Sequence, residues 1–383
     1  MPVRRPPARP PTTLIPRKMA STSALQDASP ASDEVVGRQL VAAKRLSAGH
    51  TVCQAAEPHV LALHEEYREA VCARCFSVAY STLDIMCEEC GRACYCSEEC
   101  RAAHYSEGAP GGVPHRHVCA ALQCLGPLER QQSLVKPRLV LEILARRHLG
   151  SGSSKADADL LTLQHRPPVW AEADDTVDSA SVAEVQAEFG EWCDGLREAL
   201  AETAWGARVP AAEVSNEALH GLLSRIDLNS FECACAAGPE RIAFSVGTAL
   251  FLGGATLFNH SCSPNCEVEQ LMPSLRVATL RDVEAAEPLT VSYLEQVAHM
   301  PVRMRQARLQ GQYGFACRCP RCVRELEKIK PRTPPKWLAN CHRRGDHYLV
   351  AVAMYAANVP LHICFLTLLI YFVMWVRVCR FPL

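Results

Sequence analysis

Apolar and polar positions alternate at short range near the start of the chain. Residues 35–62 hold two such runs, VVGRQLVAAKRL and HTVCQAAEPHVLAL, separated at Ser47-Ala48-Gly49, and they predict short strands. Farther on, QSLVKPRLVLEILARRH (132–148) and residues 182–204 carry apolar side chains at helical spacing and predict helices. Between them, SGSSKADAD and the stretch up to Ser181 predict a loop. From Ile226 the pattern returns to short apolar runs punctuated by glycine.

Both ends depart from this pattern. Residues 1–32 are rich in Pro, Ser, Thr and Ala, and Arg4, Arg5, Arg9, Arg17 and Lys18 all precede the first acidic residue, Asp27. The expectation for 1–33 is a disordered tail, with an organelle transit peptide as the alternative, and Met19 is a candidate start. At the other end, residues 326–346 read as a linker containing KIKPRTPPK. The 29 residues from Tyr348 to Val376 then carry no formal charge. A bilayer needs about 20 apolar residues, so 347–377 is a candidate transmembrane anchor, with a buried helix as the alternative.

Composition narrows the functions. Hydrophobic residues make up 49% of 383, enough for a sizeable core. Lys+Arg is 40 against Asp+Glu 41, which excludes a protein that binds polyanions by bulk charge. The 21 cysteines are the outlier, and most fall in two blocks, 72–124 and 262–322. Close thiol spacing in a long chain points to zinc and a reducing compartment, the nucleus or cytoplasm, with the apolar tail as the candidate membrane tether.

The first block reads Cys72-x2-Cys75, Cys87-x2-Cys90, Cys96-x3-Cys100 and His115-x3-Cys119. Eight ligands in four pairs are what two tetrahedral zinc sites require. CARC, CEEC, CYCSEEC and HRHVC together resemble a MYND zinc finger, over 72–119. The resemblance implies that the pairs alternate between metals: Cys72, Cys75, Cys96 and Cys100 on one, Cys87, Cys90, His115 and Cys119 on the other. His117 and His104 remain alternatives to His115, and Cys94 to Cys96, because the stretch from Arg101 to Pro114 is longer than the family pattern. Closed sites of this kind supply folding energy rather than catalysis. With four Arg/Lys and six Asp/Glu in 72–119, the finger suits a protein partner better than a nucleic acid.

The second block contains LFNHSCSPNC (257–266), LTVSYLE (289–295) and QYGFACRCPRC (312–322). In this order they resemble the SET domain of protein lysine methyltransferases, and with the finger the chain resembles a SET–MYND protein over about 34–325. The resemblance implies an S-adenosylmethionine cofactor, with Tyr293 and Tyr313 as the catalytic channel tyrosines and Phe315 walling the cofactor and lysine side. Asn259, His260 and Asn229 would contact the cofactor. Gly37, Arg38 and Gln39 stand in the first glycine-rich turn, where Gln39 replaces a family glycine. Cys262, Cys317, Cys319 and Cys322 would form a third zinc site.

The same resemblance implies an α+β, β-rich fold of small sheets with a knot-like C-terminal threading. Its parts are an N-terminal portion at 34–71, the finger at 72–119, a helical insertion at 120–225, and the C-terminal portion with its zinc segment at 226–325. The implied function is S-adenosylmethionine-dependent methylation of a lysine on a histone or other protein. The alternative is a catalytically weak MYND adaptor for proline-rich peptides, which Gln39 favours.

Overall fold

Strands occupy the beginning and end of the first 300 residues, and helices the middle. The computed structural model describes residues 22–33, 37–79, 81–125, 135–149, 154–168, 170, 179–237 and 242–329. Met1–Cys322 forms one compact unit and Val323–Leu383 a second.

The N-terminal strands are β1 (Thr22–Leu25), β2 (Ala28–Asp33), β3 (Gly37–Ala42), β4 (Thr51–Ala55) and β5 (Val60–Leu63). The expectation of a disordered tail over 1–33 is therefore corrected for 22–33, and residues 1–21 lie outside the described residues. β1 lies parallel to β10 (Leu252–Gly253) and antiparallel to β4, while β2 pairs antiparallel with β3. Small residues (TSAL, ASPASD) carry these pairings without a marked apolar alternation, so the sequence pattern hides them. Asp27 turns the chain between β1 and β2 with φ 54, and its carboxylate meets Lys44 at 3.0 Å and His50 at 3.2 Å.

The remaining strands are β6 (Ile85–Met86) and β7 (Cys94–Tyr95) in the finger, then β8 (Phe231–Ala237), β9 (Ile242–Leu250), β11 (Asn259–His260), β12 (Cys266–Leu271), β13 (Ser274–Thr279) and β14 (Thr290–Val291). Besides small paired sheets, there is an eight-stranded one in the order β10-β1-β4-β13-β12-β8-β9-β5. Val52 and Val277 of this sheet pack with Leu40 of β3, Val291 of β14, and Leu46, Phe251 and Phe258 between strands, in one core.

The helices are α1 (Glu98–Glu107), α2 (Cys119–Cys124), α3 (Val135–Leu149), α4 (Ser154–Leu161), α5 (Ser179–Ala201), α6 (Asn216–Asn229), α7 (Val302–Tyr313) and α8 (Pro320–Ile329). The helices expected at 132–148 and 182–204 are α3 and α5. Helix α4 replaces part of the expected loop, because Leu160 and Leu163 are buried in the core that the helices share with Leu252 of β10. The helices and finger share a second core, from Tyr95 and Val118 through Leu139, Ile143 and Leu144 to Trp192 and Trp205. Among the described residues no helix is long and apolar enough to cross a membrane, and the expected anchor at 347–377 lies outside them.

Candidate active site

Three groups of thiols and imidazole come together in space. Cys72, Cys75, Cys96 and Cys100 form one, Cys87, Cys90, His115 and Cys119 another, and Cys262, Cys317, Cys319 and Cys322 a third. Four thiolates around one zinc at about 2.3 Å leave their sulfurs about 3.8 Å apart. Here Cys75–Cys96 and Cys96–Cys100 are each 3.6 Å, Cys87–Cys119 is 3.6 Å, and Cys262–Cys317 is 3.9 Å. His115 Nε2 lies 3.4 Å from Cys90 Sγ and 3.3 Å from Cys87 Sγ. These separations are far beyond a disulfide bond of about 2.05 Å and fit tetrahedral zinc.

Local structure explains why each residue arrives. Ser97 caps α1, accepting from the Cys100 backbone N–H at 3.2 Å, and so sets Cys100 in the first turn beside Cys96. His115 begins a 3₁₀ turn whose last carbonyl, His117 O, accepts from Trp205 Nε1 at 2.7 Å. The alternatives have other employment. His104 Nδ1 bonds Tyr95 Oη at 3.0 Å, and burial lowers its pKa to about 3. Cys94 is buried outside the three groups, and burial pushes its thiol up.

The third group adjoins an aromatic cluster. Strand β11 lies parallel to β14, with Asn259 opposite Thr290 and His260 opposite Val291. This register brings Tyr293 to His260, and the Tyr293 N–H donates to His260 Nδ1 at 2.9 Å. An accepting Nδ1 leaves the proton on Nε2, which faces Cys262 Sγ at 3.2 Å. Burial lowers the His260 pKa to about 4, so the ring is neutral near pH 7. His260 therefore couples the aromatic cluster to the third cysteine group.

Around it, the Tyr293 and Tyr313 rings lie 4.9 Å apart, and Phe315 is 6.0 Å from His260 and 6.3 Å from Tyr313. The Tyr293 hydroxyl donates to Phe258 O at 2.6 Å, and the Tyr313 hydroxyl reaches Tyr293 O at 3.4 Å. Burial raises the pKa of both phenols, so both are neutral across the physiological range. Asn259 Nδ2 donates to Arg38 O at 2.8 Å, which ties the β2–β3 hairpin to this group.

The other expected cofactor residues are placed differently. Gly37 has φ 69, a backbone that favours glycine. Gln39 lies inside β3 opposite Ala31 and needs no such freedom. Asn229 closes α6, and its amide donates to Gln164 O at 3.0 Å and Arg225 O at 2.8 Å. A cleft of about 620 Å³ lies instead within the helical part, between Trp170, Phe189 and His220, and none of the aromatic cluster lines it.

Two arginines complete the third group without any signal in their spacing. Arg305 is fully buried, donates to Met300 O, and places Nη2 3.5 Å from Cys322 Sγ. Four thiolates with one divalent zinc carry net negative charge, which this guanidinium offsets. Arg321 donates to Cys262 O at 3.1 Å, Val297 O at 3.0 Å and Ala298 O at 2.9 Å, fastening two separate segments.

The family model for the SET domain matches residues 37–294. A SET and MYND domain-containing protein of Dictyostelium discoideum is 26% identical over 320 residues, 76% of this chain and 59% of that protein. The histone-lysine N-methyltransferase SMYD3 of Mus musculus is 25% identical over 263 residues, 67% of this chain and 52% of its own. The N-lysine methyltransferase SMYD2-B of Danio rerio is 25% identical over 277 residues, 71% and 54% respectively. The chain thus spans between half and three fifths of the length of these curated relatives. A family match over more than half of the residues, joined to relatives of this kind, means that the chain belongs to the SET-domain family, as a SET and MYND domain-containing protein.

Proposed function

We propose that this protein is an S-adenosylmethionine-dependent protein-lysine N-methyltransferase, with three bound zinc ions. The observation that carries the reading is the cluster of His260 in β11, Tyr293 just after β14, and Tyr313 and Phe315 at the end of α7, in a chain of this family. When bound, S-adenosylmethionine supplies a methyl group on a positively charged sulfur. A lysine nitrogen would take that methyl as the carbon–sulfur bond breaks, with the electron pair left on sulfur.

The residues here orient and exclude water rather than exchange protons. Tyr293 and Tyr313 line a narrow apolar wall. Their hydroxyls stay protonated and can accept from a lysine amine while donating to Phe258 O and Tyr293 O. Holding nitrogen in line with the methyl carbon removes the entropy of approach, which lowers the barrier without any proton transfer. Asn259, His260 and Arg38 would hold the cofactor. The lysine must lose its own proton before attack, so the rate should rise with pH as free amine accumulates.

The test is cofactor binding by calorimetry, followed by methylation of a peptide array with labelled S-adenosylmethionine. Binding and label transfer to lysine support the reading. Protein that is folded and zinc-loaded but binds no cofactor overturns it, and the proline-rich peptide adaptor then becomes the better account.

A further inference from the structure

Residues 163–168, LQHRPP, run as an irregular strap between α4 and the rest of the helical part. Two consecutive prolines stiffen it and hold Arg166 in an extended conformation. Helix α6 pins it twice: the Arg166 backbone N–H donates to Ser224 Oγ at 2.7 Å, and Gln164 O accepts from Asn229 Nδ2 at 3.0 Å. The Arg166 side chain then reaches into the C-terminal part of the chain, where Nη1 donates to Gly311 O at 2.9 Å.

Gly311 O belongs to the last turn of α7, whose carbonyls lack helical partners. Helix α7 ends at Tyr313, and Gly314 turns the chain with φ 77 while its N–H donates to Gln310 O. The guanidinium lies over that glycine: a Cβ built there would sit 3.3 Å from Arg166 Nε and 3.6 Å from Cζ. Arg166 thus caps the turn between Tyr313 and Phe315, two rings of the aromatic cluster. A cation at a helix C-terminus is favourable in its own right. Among the described residues no carboxylate forms an ion pair with Arg166, and its guanidinium bonds Gly311 O.

From this we infer that Arg166 is a positioning residue for the methyl-transfer site: through Gly311 and Gly314 it fixes the ring of Tyr313 from the helical insertion. The inference rests on the function proposed above for what Tyr313 does, but its structural half stands independently. It goes beyond the motif segments, since Arg166 lies about 150 residues before the turn it holds.

The test compares wild type, Arg166→Ala, Arg166→Lys and Ser224→Ala by steady-state kinetics, cofactor calorimetry and hydrogen exchange. In Arg166→Ala, kcat should fall about tenfold while the Kd for S-adenosylmethionine stays within about twofold. Amides of residues 312–316 should exchange roughly tenfold faster, with those of the finger unchanged. Arg166→Lys, which keeps one donor for Gly311 O, should recover part of both. Ser224→Ala should show the same changes at smaller size, and it decides the matter if Arg166→Ala does not fold. Unchanged kcat and exchange would overturn the inference. So would a loss confined to cofactor affinity, which would make Arg166 a cofactor contact. An inactive wild type overturns the proposed function alone, and the exchange result then still decides whether the strap holds the turn.

Discussion

In the finger, eight ligand atoms come from the 48 residues 72–119. In the aromatic cluster, four rings come from three segments between His260 and Phe315, and the neighbouring Asn259 bonds Arg38 O, more than 200 residues earlier. The finger's ligands are neighbours in sequence, and the helical part only braces it, through Trp205 at His117 O and Glu142 at the Val113 N–H. The aromatic cluster is built of strangers. It exists only because a parallel strand pair, a cysteine group and a helix C-terminus are each held by something else. A local site should therefore fail as a unit, and a convergent one should fail in separable ways.

Metal removal should have the largest effect. Chelation should unfold the finger and release the C-terminal segment together, and metal analysis of intact protein should return three zinc ions. Cys87→Ser should lower that count to two and strip protection from finger amides, since zinc supplies much of such a module's stability. Cys262→Ser should leave the finger ordered and disorganise the aromatic cluster, because His260 leans on that sulfur. Loss of the finger in Cys262→Ser would break the comparison.

Next come the rings. Tyr313→Phe should lower kcat by about tenfold to a thousandfold, roughly 1.4–4 kcal/mol of transition-state stabilisation, with cofactor Kd near wild type. His260→Ala should weaken cofactor binding first, measured by calorimetry. If the two variants had identical profiles, the cluster would be acting as one unit, as the finger does. Gln39→Gly should matter less. Gln39 lies in a regular strand, so the substitution should shift cofactor Kd by less than about threefold and cost about 0.5–1 kcal/mol of stability.

A separate effect, visible only in the pH dependence of stability, concerns the finger's seat. Glu142 on α3 accepts from the Val113 N–H at 2.8 Å beside a cavity of about 70 Å³, and burial raises its pKa from 4.5 to about 7. The folded state thus binds a proton that the unfolded state has lost, so stability falls as pH rises from 4.5 to about 7. Glu142→Gln keeps the acceptor and removes the charge. It should flatten that slope and add about 1–3 kcal/mol at pH 8, read from urea melts across pH.

The same contrast governs what the sequence discloses. The ligand pairs of the finger are legible because helix and knuckle spacing act within a few residues, and Cys72 through Cys119 come together as the alternating pattern implies. NHSC, SYLE and YGFxCxCxxC disclose the aromatic cluster through resemblance alone, since nothing in their periodicity says that Asn259 will lie opposite Thr290. Arg166, Arg305 and Arg321 stay silent: an arginine's role depends on which distant carbonyl or sulfur it meets. Strands β1 and β2 escape notice for another reason, because small side chains can pair without an apolar stripe.

The spread of the third cysteine group has a consequence in time. During synthesis the finger has all its ligands once residue 119 has left the ribosome. Cys262 must wait for Cys317, Cys319 and Cys322, so the aromatic cluster closes roughly 200 residues after the finger, on the order of 10–40 s later at ordinary elongation rates. A nascent chain halted in that interval holds every ligand of the finger but lacks the last three of the third group. Such a truncated chain should bind two zinc ions rather than three, and under the function proposed above it should transfer no methyl group.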